Sequence, residues 1–339
     1  QWHGMSRTGT LGRLFGHVPE PVVQMHGQDM ARRQLKDGDL VYLTSRRGAI
    51  VLPVQASPEV GLSQAFVAMH WGGEYLSGRS STGEPLAGIN ALTTSAFCPD
   101  SKQPELKHAA VKILKAEMPW SLLAAAWLPA GSALDSLRAL RDLMKEFPFA
   151  SCVPFGAGST LAGGGAERTG VLFRAAAHDP APDAVVAQVE ALMGLAGVDT
   201  LRYADARHGQ RRAARLVRTG GPGNEAHLEA FLLAGDTSAQ AWIKALLQDQ
   251  LPAQSYGRQL LRPGSNAPVG VAAKGKIVCS CFGVTESAIG EALQASSGTA
   301  EQKLAGLQGA LKCGTNCGSC LPELKRMVRA GATPVAALA

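Results

Sequence analysis

Leu311-Lys312-Cys313-Gly314-Thr315-Asn316-Cys317-Gly318-Ser319-Cys320-Leu321-Pro322, taken together with Cys279-Ser280-Cys281 upstream, is the stretch around which the rest of the chain can be read. Three thiols sit in a Gly-rich turn, and two more close the apolar run Ile277-Val278. Four thiolates from two short loops suit a [2Fe-2S] cluster, and the small residues between them let backbone N–H groups approach the sulfurs. Zinc is the rival, although its usual pattern is two C-x2-C knuckles and the first pair here is the tighter C-x-C. Disulfides are disfavoured, because the seven cysteines are odd in number and no secretory signal is legible. Cys98 and Cys152, isolated in the chain, read as buried inert thiols.

Five cysteines compete for four ligand positions, and pairing C-x-C with C-x2-C leaves Cys313 over. Ile277-Val278-Cys279-Ser280-Cys281-Phe282-Gly283-Val284-Thr285, followed by Asn316-Cys317-Gly318-Ser319-Cys320-Leu321-Pro322-Glu323-Leu324, resembles the small [2Fe-2S] domain of bacterioferritin-associated ferredoxin. That resemblance implies Cys279, Cys281, Cys317 and Cys320 as the cluster ligands and gives Cys313 no ligand role. Thr285 is expected to N-cap a helix from Glu286 to about Ala295. A second helix is expected over 304–311, and a third over 321–329 with Pro322 in its first turn.

Residues 1–13, QWHGMSRTGTLGR, lack periodicity and read as a loop whose indole, imidazole, hydroxyls and Arg7 suit a polyanionic ligand or an ordinary surface. Gln28–Leu35 reads as a short helix, Leu40–Thr44 and Ala49–Val54 as a hairpin, and Gln64–Met69 as a strand leading into His70-Trp71-Gly72-Gly73. The density of short strands suggests a barrel. QWHGMSRTG, HWGG, INALT and PDSKQPELKHAAVKI, in this order, resemble the molybdopterin-dinucleotide-binding domain of the dimethyl sulfoxide reductase family, bacterial assimilatory nitrate reductases in particular. The resemblance implies a double-psi β-barrel. It also implies that Trp2, His3, Gly4, Met5, Ser6, Asn90 and Lys107 contact a molybdopterin guanine dinucleotide, with Lys107 as a point cation for phosphate.

The middle of the chain offers less. Leu134–Phe147 places Leu134, Leu137, Leu140, Leu143, Met144 and Phe147 at helical spacing, and 184–193 and 239–248 also read as helices. Ala150–Phe155, 170–174, 201–205 and 227–233 read as strands. Gly156–Gly165 is not a dinucleotide loop, because GxGxxG needs glycine where Leu161 stands. Arg211, Arg212, Arg215 and Arg218 form a basic run, read as a solvated face or a dock for an acidic partner. This part resembles the linker domain that precedes the ferredoxin-like module in some nitrate and nitrite reductases.

Composition fits a multidomain globular chain: 339 residues, 46% hydrophobic and 18% charged, with net charge +6. Lysines and arginines are scattered without interleaved aromatics, which argues against a nucleic-acid partner. The longest apolar run, Leu122–Leu128, is too short for a membrane span. The expected organisation is a double-psi β-barrel over 1–118, an α+β middle domain over 119–265, a linker over 266–276 and a small all-α [2Fe-2S] domain over 277–331.

The resemblances imply the C-terminal part of a cytoplasmic, assimilatory nitrate reductase. It would hold part of a molybdenum-bis(molybdopterin guanine dinucleotide) and relay electrons through the [2Fe-2S] cluster. The electrons would come from an NADH-dependent flavoprotein subunit, a ferredoxin or a flavodoxin. A [4Fe-4S] cluster and the molybdenum ligand are expected upstream, so no catalytic residue is assigned and the fragment alone should be inactive. A formate dehydrogenase and a non-catalytic iron-sulfur carrier are the alternatives.

Overall fold

The computed structural model describes residue 12 and residues 18–80, 82–86, 88–105, 108–156, 167–218, 225–268, 271, 275 and 277–330. Strands β1 (Val23–Met25), β2 (Leu40–Thr44), β3 (Ala49–Ala56) and β4 (Ala65–Val67) with helix α1 (Gly27–Arg32) open the chain. β5 (Leu76–Arg79), β6 (Pro85–Leu86), a 3-10 turn over Ile89–Leu92 and β7 (Lys112–Lys115) follow. The first sheet has the order β4-β1-β3-β2-β7. β2 and β3 are the antiparallel hairpin that the sequence indicates, whereas β1 and β3 run parallel.

The expected double-psi β-barrel is not evident. Among the described residues this first sheet is open, with β4 and β7 at its edges. β5 hydrogen-bonds to β9 (Phe149–Phe155) of the middle region, and β6 pairs with β5. Strands expected to belong to the first domain thus extend the second sheet instead.

The middle region supplies β8 (Trp120–Pro129), α2 (Ala130–Leu143), β9, β10 (Arg168–Ala177), α3 (Asp183–Leu192), β11 (Thr200–Asp205), β12 (Gln210–Arg218), β13 (Ala226–Ala234), α4 (Gln240–Gln248) and α5 (Gly257–Leu261). Its eight-stranded sheet has the order β11-β12-β13-β8-β10-β9-β5-β6. β8 explains the apolar run that the sequence left unassigned. Trp120, Leu122, Ala124, Ala126 and Leu128 enter the core under α2 and α3, while Leu123, Ala125 and Trp127 enter the core under α4. Side chains alternate along a strand, so a strand covered on both faces must be apolar throughout. Such a run cannot be told from a buried helix by periodicity alone.

α2 buries Ala133, Leu137 and Leu140, and Met144 just beyond its end is buried too, but Leu134 is 52% exposed on the outer side of the helix. Most of the basic run is not a solvated face either, Arg218 being its exposed member. Arg211 and Arg202 both reach Glu190, and Arg168 and Arg215 both reach Glu229. Arg212, 1% exposed, lies 2.9 Å from Asp236 and donates to the Leu260 carbonyl. The strand period carries alternate arginines to opposite faces, where buried acids meet them. Among the described residues no helix is long and apolar enough to cross a membrane.

The last region contains a short ribbon, β14 (Ile277–Cys279) with β15 (Val284–Thr285), then α6 (Glu286–Gln294), α7 (Ala300–Leu311) and α8 (Leu321–Ala330). It is therefore not all-α, since the C-x-C loop is the turn of a ribbon. Thr285 N-caps α6 by accepting from the Ala288 N–H. α7 starts earlier than expected, at a capping box formed by Thr299 and Gln302.

Candidate iron-sulfur and dinucleotide sites

The ribbon turn and the loop between α7 and α8 bring the cysteines of this last region together. Gly283, Gly314 and Gly318 all have positive φ, which allows both loops to turn tightly beneath the sulfurs. Cys281 Sγ lies 3.4 Å from Cys317 Sγ, and Cys279 and Cys320 share one buried core cluster. Cys279, Cys320 and Cys313 are buried in the module's apolar core, whereas Cys317 is exposed and Cys281 half-buried.

Electrostatics differ between the two pairs. Burial first, then the Cys279 thiol, pushes Cys320 up to about 11. Hydrogen bonding to Ser319, whose Oγ is 3.2 Å away, holds the Cys317 thiol below its ordinary value. Burial, with Cys279 nearby, raises Cys313, whose thiol points at the Leu307 carbonyl at 3.6 Å. Among the described residues no three His, Cys, Asp or Glu side chains gather closely enough to hold a metal ion. Two sulfur pairs are the donor set of a two-iron centre, so these residues fit a [2Fe-2S] cluster.

The second site lies in the first region. His70, Trp71, Gly72, Gly88, Ile89 and Asn90 line a cleft of about 260 Å³. The HWGG and INALT segments meet there because the Ile89 N–H donates to the Trp71 carbonyl at 3.1 Å. A Cβ on Gly88 would stand 2.4 Å from that carbonyl oxygen, so only glycine allows the approach. His70 adopts a positive φ of 76°, unusual for a non-glycine residue and found at constrained sites. Small-molecule pockets commonly measure roughly 300–1,000 Å³, so this cleft lies just below the small end of that range. Asn90 is exposed at its mouth, and its backbone carbonyl accepts from the Thr93 hydroxyl at 3.1 Å.

Of the residues expected from sequence, Cys281 and Cys317 lie side by side, Cys279 and Cys320 are buried in one core cluster together with Cys313, and Asn90 lies on the cleft. Trp2, His3, Gly4, Met5, Ser6 and Lys107 lie outside the described residues. Cys152 is buried as expected, with its thiol pushed up to about 12 by burial. Cys98 is exposed, on a tight turn closed by Lys102 N–H to its carbonyl, and so is not the inert core thiol expected. Sequence reasoning did not single out His70, Trp71 and Gly88, which line the cleft, or Ser319, which lies beside Cys317. The paired glycines of HWGG were the available signal.

Comparison with known proteins defines the class. Residues 1–110 match the molydopterin dinucleotide binding domain family and residues 277–330 the BFD-like [2Fe-2S] binding domain family. The chain is therefore similar at one end to a pterin-dinucleotide-binding domain and at the other to an iron-sulfur module. In particular, it is 31% identical over 342 residues to a nitrate reductase of Klebsiella oxytoca, covering 97% of this chain and 33% of that protein. It is also 37% identical over 112 residues to a nitrate reductase of Synechocystis, covering 33% of this chain and 15% of that protein. The chain thus spans about a third or less of the length of these curated relatives.

Proposed function

We propose that this chain is the C-terminal part of a molybdenum-dependent nitrate reductase of the assimilatory, cytoplasmic kind. In this reading, residues 1–118 hold part of a molybdenum-bis(molybdopterin guanine dinucleotide). Trp2, His3, Gly4, Met5 and Ser6 supply donors from the opening loop, Asn90 adds an amide at the cleft, and Lys107 neutralises phosphate charge. The cleft over His70 and Trp71 excludes water from the part of the ligand it seats.

Residues 277–331 carry Cys279, Cys281, Cys317 and Cys320 as thiolate ligands. When bound, the [2Fe-2S] cluster accepts and passes on one electron at a time. The loops hold the thiolates in two preformed pairs, and Ser319 offers its hydroxyl to the outer one. Residues 119–265 act as a rigid spacer, cored on both faces of their sheet. The electron donor is a reduced flavoprotein or a ferredoxin-type carrier, and nitrate is the final acceptor. A [4Fe-4S] cluster belongs to the upstream part.

The observation that carries this reading is the meeting of two thiol pairs in a chain whose other end matches the dinucleotide-binding family. The whole enzyme should oxidise reduced viologen only when nitrate is added, and oxidation with formate or with neither would replace the assignment. The 339-residue chain, given iron and sulfide without air, should turn brown and show a reducible cluster signal. A colourless protein holding zinc would overturn the cluster reading.

A further inference from the structure

Between the first sheet and the middle sheet lies a second cavity, of about 370 Å³, distinct from the cysteine module and from the dinucleotide cleft. Its walls are the turn before β2, the segment that carries β7 into β8, and parts of β8, β9, β10 and α4. Ligand sites occur preferentially at such seams, where a few polar groups converge in a volume of roughly 300–1,000 Å³.

The floor of the cavity is Arg174. Side chains alternate along β10, so Leu172, Arg174 and Ala176 share a face. Leu172 belongs to the core under α4 and Ala176 to the core of the first sheet, and Arg174 stands where those two cores part. Its side chain is 18% exposed, and among the described residues its polar partner is Glu20, at 3.7 Å, beyond hydrogen-bond reach. Lys244 donates to that same carboxylate at 2.6 Å and offsets its charge. A partly buried fork of N–H donors is thus left to take an acceptor from the cavity, and the two oxygens of a carboxylate match it. The hydroxyls of Ser121 and Thr237, also on the lining, lie 2.9 Å apart, so one donates to the other and the second proton remains to be given to a ligand.

The mouth has the opposite sign. A Cβ on Gly38 would stand 3.6 Å from Arg174 Nη2, which places the turn of Asp37 and Asp39 against the guanidinium. Asp39 is paired with Lys115 at 3.2 Å, whereas Asp37 and Glu117 are exposed on the lining. A bare anion would be repelled by these two carboxylates and a bare cation by Arg174, while a molecule carrying both charges meets an opposite one at each end.

We infer that this cavity binds a small zwitterion of the free α-amino acid class, its carboxylate on Arg174 and the hydroxyl pair and its ammonium toward Asp37 and Glu117. None of these residues belongs to the cluster or to the dinucleotide cleft, so the inference stands or falls apart from those readings. Because both sheets wall the cavity, the bound molecule ties the first region to the middle one.

The test is calorimetric titration of the 339-residue chain at low salt, with glycine, L-alanine, L-glutamate and L-glutamine as probes and with propionate and propylamine as the two halves of such a molecule. At least one of the amino acids should bind, a single molecule per chain. Propionate and propylamine should each bind about tenfold more weakly than the best of them, or not at all, because each leaves one charge of the site unanswered. Arg174→Gln should weaken the amino acid about tenfold. Glu117→Gln, on an exposed side chain outside the core, should weaken it roughly threefold. Binding of no amino acid would overturn the inference, and so would propionate matching the best amino acid, which would leave a plain anion site. Unchanged affinity in Glu117→Gln would also overturn it, and that variant decides the matter even where Arg174→Gln fails to fold.

Discussion

The sheet of residues 119–265 and the module of residues 277–330 resolve the same problem, a polar group in an apolar interior, in opposite ways. In the sheet, Arg212 meets Asp236, while Glu190 and Glu229 each meet two arginines, so every one of these charges has its partner within the chain. The sheet is cored on both faces and needs no ligand to complete it. In the module, three of the ten residues of the buried cluster are cysteines, Cys279, Cys313 and Cys320. So small a core stabilises little by itself, and small domains commonly depend on a metal or a crosslink. The contrast teaches that the middle region is finished by its own sequence, whereas the module, on the proposed function, is finished by what its thiols would bind.

The largest test of this contrast removes the metal. Chelation of the cluster under reducing conditions should abolish amide protection in α6, α7 and α8 while β8 to β13 keep theirs, as read by hydrogen exchange. Equal protection before and after would show that the module is as self-sufficient as the sheet. Next comes Arg212→Ala, expected to destabilise the sheet region by about 3 kcal/mol in denaturant titration, because it opens a buried pair. The value lies at the low end of that class, since Asp236 keeps the N–H groups of Ser238 and Gly264. An effect below about 1 kcal/mol would mean that burial and not pairing holds the strand.

Smaller effects sharpen the comparison at the dinucleotide cleft. Gly88→Ala should cost about 1–3 kcal/mol and distort the cleft, since its Cβ meets the Trp71 carbonyl, and a wild-type Tm would contradict the packing described. Acid acts on the seam at Glu20, where Lys244 and Arg174 meet it at 2.6 and 3.7 Å. Burial pushes the Glu20 carboxyl up, but these two cations more than offset it and leave it below its ordinary value of 4.5. A depressed folded value means that the stabilisation is present above pH 4.5 and is lost as pH falls through the folded value. Glu20→Gln should therefore flatten the acid limb of the stability curve. The smallest change is Asn90→Ala, expected to alter stability by less than about 0.5 kcal/mol and, on the proposed function, to lower retention of the dinucleotide by the full-length protein.

The parts of this protein that could be read directly are those where chemistry is local. The Thr285 cap, the β2–β3 hairpin and the helices α3 and α4 depend on residues a few positions apart, and they stand in the structure as the sequence indicates. The misreadings fall where distant chain segments compete. The arginines of β12 look like a solvated face until Glu190, Glu229 and Asp236 arrive from other elements. Cys98 looks like core until its turn is seen to project, and Leu122–Leu128 has no legible period because helices cover both of its faces.

The sequence alone determined which thiols, glycines and caps are present, and therefore which metal and ligand classes are within reach, because ligand chemistry is a property of residue type and short spacing. Tertiary structure alone decided that β5 joins the middle sheet and leaves the first sheet open, and that His70 and Asn90 share a cleft. It alone also turned one sulfur pair to water and the other to the core. The reason is physical: strand pairing and burial are settled by competition among surfaces far apart in the chain, and no local pattern records which surface wins.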